Sequence, residues 1–267
     1  MKIGIIGVGN MGEALLAGIL KGKKVKLEDI TIYDNNVQII QLNKKRYGVN
    51  TVQNYKDLLV NSDYLILAVK PNVYAQVLTE ISPYLEQRHY IFSIAPGYDF
   101  NRLKKYLPHS FDNIVLFMSN TAAKIGKATT AAVFSDTISA EEKDKITDLF
   151  CSFGNYFEIN EEQLPTITSV IGSAPAIVYM LLEGMIQGAV LEGISANKAQ
   201  ELSASVITSS ADMVLESKKH PAVLRDQICS PAGTTIEGVA YLEKVGFSGT
   251  VIEAIRLMVE KANNMKK

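Results

Sequence analysis

Near the C-terminal end of the chain, Ser230-Pro231-Ala232-Gly233-Thr234-Thr235 gathers hydroxyls, a proline and a glycine into one short turn ahead of an amphipathic run. Thr234 followed by Glu237 fits a capping box, an arrangement that leaves the backbone N–H groups around Gly233 to Ile236 facing outward, where they can bind an anion. Thr235 then sets a hydroxyl beside that anion. The same residues also suit an ordinary helix start that holds no ligand.

A second constellation stands at the other end. Lys2 to Ile6 is a short β-branched apolar run, as expected of a buried parallel strand, and it breaks at once into Gly7-Val8-Gly9-Asn10-Met11-Gly12. Glu13 to Leu20 follows as a helical pattern with small and apolar residues for a sheet. The three glycines have separate tasks: Gly7 turns the chain, Gly9 lets a pyrophosphate approach the backbone, and Gly12 lets the helix close on the strand. A second strand, Ile30 to Tyr33, ends in Asp34. A carboxylate there can accept hydrogen bonds from both ribose hydroxyls and repel a 2′-phosphate, which favours NADH over NADPH. Asp34-Asn35-Asn36 equally suits a solvated turn.

The elements that must hold these residues alternate along the chain. Strand-like runs recur at Tyr64 to Val69, Tyr90 to Ile94, Ile114 to Met118 and Thr129 to Phe134, with helical patterns at Val73 to Tyr84, Phe100 to Leu107 and Ala140 to Phe150. This is the pattern of an α/β fold with a doubly wound, mostly parallel sheet. Ligands of such sheets bind beyond the carboxyl ends of the strands, so the strand exits Val69-Lys70-Pro71, Ala95-Pro96-Gly97 and Ser119-Asn120-Thr121 are candidates to share one crevice. Beyond about Asn160 strand signals stop, which divides the chain into residues 1–160 and a helical domain, residues 161–267.

Within the helical part, Pro175 to Gly193 is apolar on nearly every side, and Val251, Ile252, Ile255, Met258, Val259 and Ala262 form a broad apolar face. So much apolar surface in a small helical domain calls for subunit contact, and an obligate homodimer is expected. Gln163 to Leu182 lacks charge, but its prolines, serines and threonines make it too polar and broken for a membrane span. It reads as a buried helix.

Charge is balanced, with 27 Lys and Arg against 28 Asp and Glu. No basic block marks a nucleic-acid or membrane partner, so a small molecule is the expected ligand. Cys151 and Cys229 are too few for a disulfide framework, and no charged-then-apolar leader precedes the first strand, so a reducing, cytoplasmic setting is expected. His89, His109 and His220 stand far apart, form no metal-ligand spacing, and read as surface residues; no metal site is expected.

Four segments in order, the glycine turn at Gly7 to Gly12, Val69-Lys70-Pro71, Gly172-Ser173-Ala174-Pro175-Ala176, and His220-Pro221 leading to Ser230-Pro231-Ala232-Gly233-Thr234-Thr235, resemble the pyrroline-5-carboxylate reductase family over essentially the whole chain. The resemblance implies a Rossmann-type domain followed by an all-helical dimerisation domain. It implies reduction of the cyclic imine 1-pyrroline-5-carboxylate to L-proline by a nicotinamide hydride, the last step of proline biosynthesis, with NADPH or NADH as cofactor. By the same resemblance, Gly7, Gly9, Asn10, Met11, Asn54, Val69, Lys70 and Pro71 contact the cofactor, with Ala95 and Asn120 near the nicotinamide. Backbone N–H groups of Gly233 and Thr234 and the Ser230 hydroxyl would hold the substrate carboxylate, and Thr235 would serve as the catalytic contact to the ring nitrogen.

This chain departs from the family pattern at Leu116, where an arginine is usual, at Ser119 and Ala122, at Pro96, and at Ala232 inside the substrate loop, where glycine is usual. A chain with these departures reads alternatively as a paralogue kept for nucleotide binding or regulation, or as a reductase of another cyclic imino acid. A positive φ at Ala232 would cost on the order of 1 kcal/mol.

Overall fold

The computed structural model describes residues 1–265. Eight strands form one sheet: β1 (Ile3–Ile6), β2 (Ile30–Tyr33), β3 (Asn50–Thr51), β4 (Tyr64–Leu67), β5 (Tyr90–Ser93), β6 (Ile114–Met118), β7 (Ala128–Phe134) and β8 (Gly154–Glu158), in the order β3-β2-β1-β4-β5-β6-β7-β8. Every neighbouring pair is parallel except β6 with β7. The helices that connect them are α1 (Asn10–Gly22), α2 (Val37–Tyr47), α3 (Tyr55–Val60), α4 (Tyr74–Ile81), α5 (Phe100–Lys104) and α6 (Ala140–Cys151). Then come α7 (Leu164–Thr168), α8 (Pro175–Leu191), α9 (Ala196–Ser217), α10 (Pro221–Ile228), α11 (Thr234–Lys244) and α12 (Phe247–Asn264).

The central strands β1, β4, β5 and β6 are mostly apolar and are buried at nearly every position because the sheet is covered on both faces. Ile3, Ile5, Ile66, Phe92, Val115 and Phe117 lie in one core with Leu15, Leu16 and Phe150, whereas Ile6, Leu65, Leu67, Ile91, Ile114 and Leu116 lie in the other with Leu78 and Leu103. Successive side chains of a strand alternate between the two, as the pleat requires. Leu116, the residue at the family's arginine position, is 1% exposed and belongs to this second core, so the substitution is absorbed as packing.

The expected doubly wound sheet is present, and its last strand ends at Glu158, just before the change of character near Asn160. Two strands carried no sequence signal: β3 has two residues, and β8 is largely exposed, so neither shows a run of apolar residues. The helix expected over Val73 to Tyr84 is instead a 3₁₀ turn at Pro71–Val73, α4, and a second 3₁₀ turn at Ser82–Tyr84 around Pro83. His89, expected at the surface, is fully buried: its Nδ1 accepts from the Glu86 N–H at 2.8 Å and its Nε2 stands 3.0 Å from the Leu59 carbonyl oxygen. One ring nitrogen closes the local turn at Glu86 and the other meets a carbonyl at the end of α3, so both are paired inside the protein.

Two compact units emerge, Met1–Gly172 joined by residues 259–265, and Ser173–Met258. The first extends past Asn160 because the segment after β8 packs on the sheet: Thr168, Ser169 and Ile171 are buried, and Leu164 rests on the second core. Within the second unit only Ala199 and Ser203 are buried among the described residues. The expectation of a buried helix over Gln163 to Leu182 therefore holds in part before Gly172, where Pro165, Thr168, Ser169 and Ile171 are buried, and fails over α8 within one chain. No residue of α8 is buried, and Met180 and Leu191 are 72% and 85% exposed. By length and composition the helical stretch Glu161–Leu191 would suffice to cross a membrane, although Pro165, a π-helical turn at Ser169–Ser173 and Pro175 interrupt it.

Candidate functional site

The carboxyl end of β1 is the switch point of the sheet, since the chain builds outward to β2 and β3 on one side and then returns to β4 on the other. Gly7 leaves the strand with φ +87°, a conformation side chains rarely adopt, and its N–H donates to the Tyr33 carbonyl at 2.8 Å. Gly9 is the N-cap of α1, and no side chain caps that helix. The first-turn N–H groups of Asn10 and Met11 thus lack intrahelical acceptors and carry the positive end of the helix dipole. A Cβ built at Gly9 meets no protein atom within 4 Å, whereas one built at Gly12 runs into the Gly7 carbonyl. Gly12 is needed for packing, and Gly9 keeps open space over free N–H groups. These residues fit the pyrophosphate of a nicotinamide dinucleotide.

Asp34 is held by two backbone donors. Its Oδ2 accepts from the Val8 N–H at 2.9 Å and its Oδ1 from the Asn36 N–H at 2.9 Å. The turn reading of Asp-Asn-Asn is realised, and at the same time the carboxylate is clamped beside the glycine turn. Each oxygen keeps a further lone pair for a ligand hydroxyl. Close by in sequence, Asn36 caps α2, accepting from Gln38 and Ile39. Glu13, in the first turn of α1, gathers the Arg46 guanidinium, the Tyr47 hydroxyl at 2.9 Å and the Lys124 ammonium at 3.3 Å. Burial pushes the Glu13 carboxyl up, but the hydrogen bonds from Tyr47, Arg46 and Lys124 outweigh it and hold the group below the usual carboxylate range. Arg46 and Lys124 are thereby committed to Glu13.

The other expected cofactor residues fall on the loops that leave the sheet. Asn54 is exposed and caps α3, accepting from the Asp57 N–H at 2.8 Å, while the neighbouring Tyr55 ring packs edge-on against Tyr33 at 4.6 Å. Val69 is half-buried against the second core and crowds Gly7, Lys70 is exposed, and Pro71 opens the 3₁₀ turn. Ala95 is 6% exposed and leads through Pro96 to Gly97, whose φ is +81°. Asn120 begins a 3₁₀ turn at Thr121–Ile125, and its side-chain oxygen accepts from the Thr129 N–H at 3.4 Å. Ser119 is buried with its hydroxyl 2.9 Å from that of Thr130. One residue absent from the expected site, Tyr74, places a buried hydroxyl among the exits of β4 and β5. A tyrosine on the inner face of a helix needs a hydrogen-bond partner, and that requirement was the available clue.

The residues Ser230 to Thr235 lie in the helical unit. The capping box expected from Thr234 and Glu237 does not form: the N-cap is Gly233, in extended conformation, and no side chain caps α11. The reason is the turn before it. Gly233 N–H donates to the Ser230 carbonyl at 3.1 Å and Ala232 takes φ +55°, so the chain enters the helix with Thr234 already in its first turn. The Gly233 N–H, expected to bind a carboxylate, is therefore engaged within the loop. The open donors are the first-turn N–H groups of Thr234, Thr235 and Ile236. A Cβ on Gly233 would collide with Ser230 Oγ, so the serine hydroxyl hangs over the glycine at the mouth of the helix. Among the described residues no three His, Cys, Asp or Glu side chains stand together as a metal site.

Comparison with known proteins covers the same two regions. A family model described as pyrroline-5-carboxylate reductase dimerisation matches residues 161–265, and one described as NADP oxidoreductase, coenzyme F420-dependent, matches residues 2–97. The pyrroline-5-carboxylate reductase of Escherichia coli is 34% identical over 100% of this chain and 98% of its own length, and that of Synechocystis is 33% identical over 100% and 99%. Among solved structures, the Plasmodium falciparum pyrroline carboxylate reductase with NADP bound superposes with a TM-score of 0.92 at 30% identity, over 100% of this chain and 98% of that one. The Streptococcus pyogenes 1-pyrroline-5-carboxylate reductase gives 0.88 at 32% identity, over 99% and 98%. End-to-end matches at this identity, together with the uncapped helix start over Gly9 and the Ser230 to Thr235 loop, make the chain a member of the pyrroline-5-carboxylate reductase family.

Proposed function

We propose that this protein reduces 1-pyrroline-5-carboxylate to L-proline with a nicotinamide cofactor. The observation that carries the reading is that a chain matched end to end by named reductases has both the glycine turn with its open helix start and the serine-threonine loop with a second open helix start. When bound, the reduced nicotinamide supplies the hydride that the ring carbon accepts. The protein's own task is to bind and align. The N–H groups of Asn10 and Met11 hold the pyrophosphate, and Val69, Lys70, Pro71, Ala95, Asn54 and Asn120 bound the cofactor. The open N–H groups at the start of α11 and the Ser230 hydroxyl hold the substrate carboxylate. Thr235 hydrogen-bonds the ring nitrogen and steadies its proton. No strong base is required, because a protonated imine is already electrophilic and alignment dominates the barrier.

Asp34 tilts cofactor choice to NADH. Its carboxylate is fixed at the exit of β2, the two residues after it are asparagines, and Arg46 and Lys124 are committed to Glu13. The division into a dinucleotide-binding domain over 1–160 and a substrate-binding and dimerisation domain over 161–267 goes with this reading. So does a homodimer, which would cover the apolar side chains that α8 leaves exposed. Cys151 and Cys229 are free thiols, in keeping with a cytoplasmic protein.

The test is a steady-state assay of the purified protein with pyrroline-5-carboxylate and either NADH or NADPH. Turnover with both substrates present is expected, faster with NADH; nucleotide binding without turnover would leave only the binding role. Thr235→Ala is expected to lower kcat/KM about tenfold or more at unchanged stability, the loss of one hydrogen bond at the reacting ring. Wild-type kinetics in that variant would remove Thr235 from the chemistry.

A further inference from the structure

The side chain of Tyr74 is completely buried, yet its hydroxyl is not simply a satisfied core group. It donates to the Leu67 carbonyl at 2.6 Å and accepts from the Ile94 N–H at 3.2 Å and from Ser93 Oγ at 3.3 Å. A phenol has one donor and two acceptor positions, and all are used. The partners matter because Leu67 and Ser93 are the last register pair of β4 and β5.

In a parallel ladder the bonds of one strand recur every second residue. Tyr90 N–H donates to Asp63 O at 2.7 Å, and steps of two along each strand bring Ile94 N–H opposite Leu67 O. That next rung would be a direct backbone bond. Here the Tyr74 oxygen takes both ends of it, standing in the ladder where a backbone bond would otherwise close the gap.

The last register pair and the residue after it are thereby bridged through one hydroxyl, and the two exits, Ala68 to Pro71 and Ala95 to Gly97, start from that bridge. A second tyrosine extends the connection. The Tyr98 ring packs on Tyr74 with centroids 4.7 Å apart, and its hydroxyl donates to the Pro71 carbonyl at 3.4 Å. The Arg102 guanidinium lies 4.3 Å from the Tyr98 ring centroid and donates to the Gly97 and Met265 carbonyls, each at 2.9 Å. Each of the two exit loops thus ends in a carbonyl tied to the Tyr74–Tyr98 pair or to the arginine over it.

We propose that Tyr74 is a positioning residue for nucleotide binding, its hydroxyl wedging the ends of β4 and β5 apart so that Val69-Lys70-Pro71 and Ala95 stand at the spacing the cofactor needs. The proposal rests on the reading that these two loops touch the cofactor. Tyr74→Phe keeps the ring and its volume and removes only the wedge. Leu67 O and Ile94 N–H then either bond to each other, drawing Ala95 toward Ala68, or remain unpaired in the core.

The test is the equilibrium Kd for NADH and NADPH, measured on the full-length protein by quenching of nucleotide fluorescence and by thermal shift, alongside the KM for the imino acid. In Tyr74→Phe the nucleotide Kd is expected to rise about tenfold, the equivalent of one hydrogen bond's free energy, while the imino-acid KM stays within about twofold. A role in stability alone would lower the melting temperature and leave Kd unchanged, and that result overturns the proposal. If Tyr74→Phe does not fold, Tyr98→Phe decides, because the wedge sets the spacing of the loops only while the Pro71 carbonyl is held to the Tyr74–Tyr98 pair: a weakening of about threefold is expected from loss of so long a hydrogen bond. An unaltered Kd there shows that the hold does not set the spacing and overturns the proposal equally. A wild-type chain that binds neither nucleotide overturns the reductase reading itself, and the wedge with it; wild-type affinity retained in the variants overturns the wedge alone.

Discussion

The Asp34 carboxylate stands 2.9 Å from the backbone N–H of Val8, so the acidic residue that ends β2 is tied to the middle of the glycine turn that ends β1. The bond couples, through one side chain, the places proposed for the cofactor's ribose and for its pyrophosphate. Asp34→Ser is expected to weaken NADH by about tenfold, through loss of a charge-assisted acceptor, and to narrow or reverse the preference over NADPH. Kd values for both nucleotides check this. A variant with an unchanged ratio would make Asp34 only a clamp for the turn.

Gly9 and Gly12 are separated by one helical turn and have opposite structural requirements. Gly9→Ala places a methyl where no protein atom lies within 4 Å, so the melting temperature should hold while nucleotide affinity falls, because the methyl occupies pyrophosphate space. Gly12→Ala drives a Cβ into the Gly7 carbonyl and should cost about 2 kcal/mol of stability as well as binding. Thermal melts with and without nucleotide separate the two effects. Equal destabilisation in both variants would refute the distinction.

Among the described residues Ala232 is one of three non-glycine residues with positive φ, and the other two, Lys23 and Lys218, sit at helix C-caps. In the Ser230 to Thr235 loop, proposed to hold the substrate, the strain has no such routine explanation. Ala232→Gly is expected to stabilise the protein by up to about 1 kcal/mol, and Ala232→Val to destabilise it by about 1–2 kcal/mol, since a β-branched side chain tolerates this conformation least. Denaturant midpoints give the sign of each. A destabilised glycine variant would mean that the methyl makes contacts which outweigh the strain.

His89 gives the protein a defined acid sensitivity. Burial, above all, pushes its pKa below the usual 6.5; the Arg88 charge acts in the same sense, while the Leu59 carbonyl, Glu86 and Asp63 oppose it. The unfolded chain takes up a proton near pH 6.5 that the folded ring resists. Stability from this residue is therefore complete above about pH 6.5 and declines as pH falls below it. Denaturant titrations between pH 7.5 and 5 should show a shallower decline for His89→Gln than for wild type, and parallel slopes would exclude His89 as the source.

The sequence was legible where one local rule governs several neighbouring residues. The strand-turn-helix at Lys2 to Leu20 could be read because apolar run, glycine spacing and helical period all agree within a few residues. Leu116 and Ala232 could be marked as departures only against the pattern of the family that the chain resembles. The capping box could not be judged this way: Thr234 and Glu237 have the right types and spacing, but whether Thr234 caps or enters the helix depends on the backbone of Ala232 and Gly233.

What the sequence determined by itself is the fold class, the family and the residue types at the two helix starts, since periodicity and short-range spacing are written directly in the order of residues. Tertiary structure decided the rest. It buried His89, gave Asp34 to the Val8 N–H, engaged the Gly233 N–H within its own loop, and put the Tyr74 hydroxyl into the gap between β4 and β5. Each of these is a pairing of a polar group with a partner fixed by backbone conformation or by distant segments. A hydrogen bond depends on distance and direction to within a few tenths of an ångström, and residue order alone does not specify either.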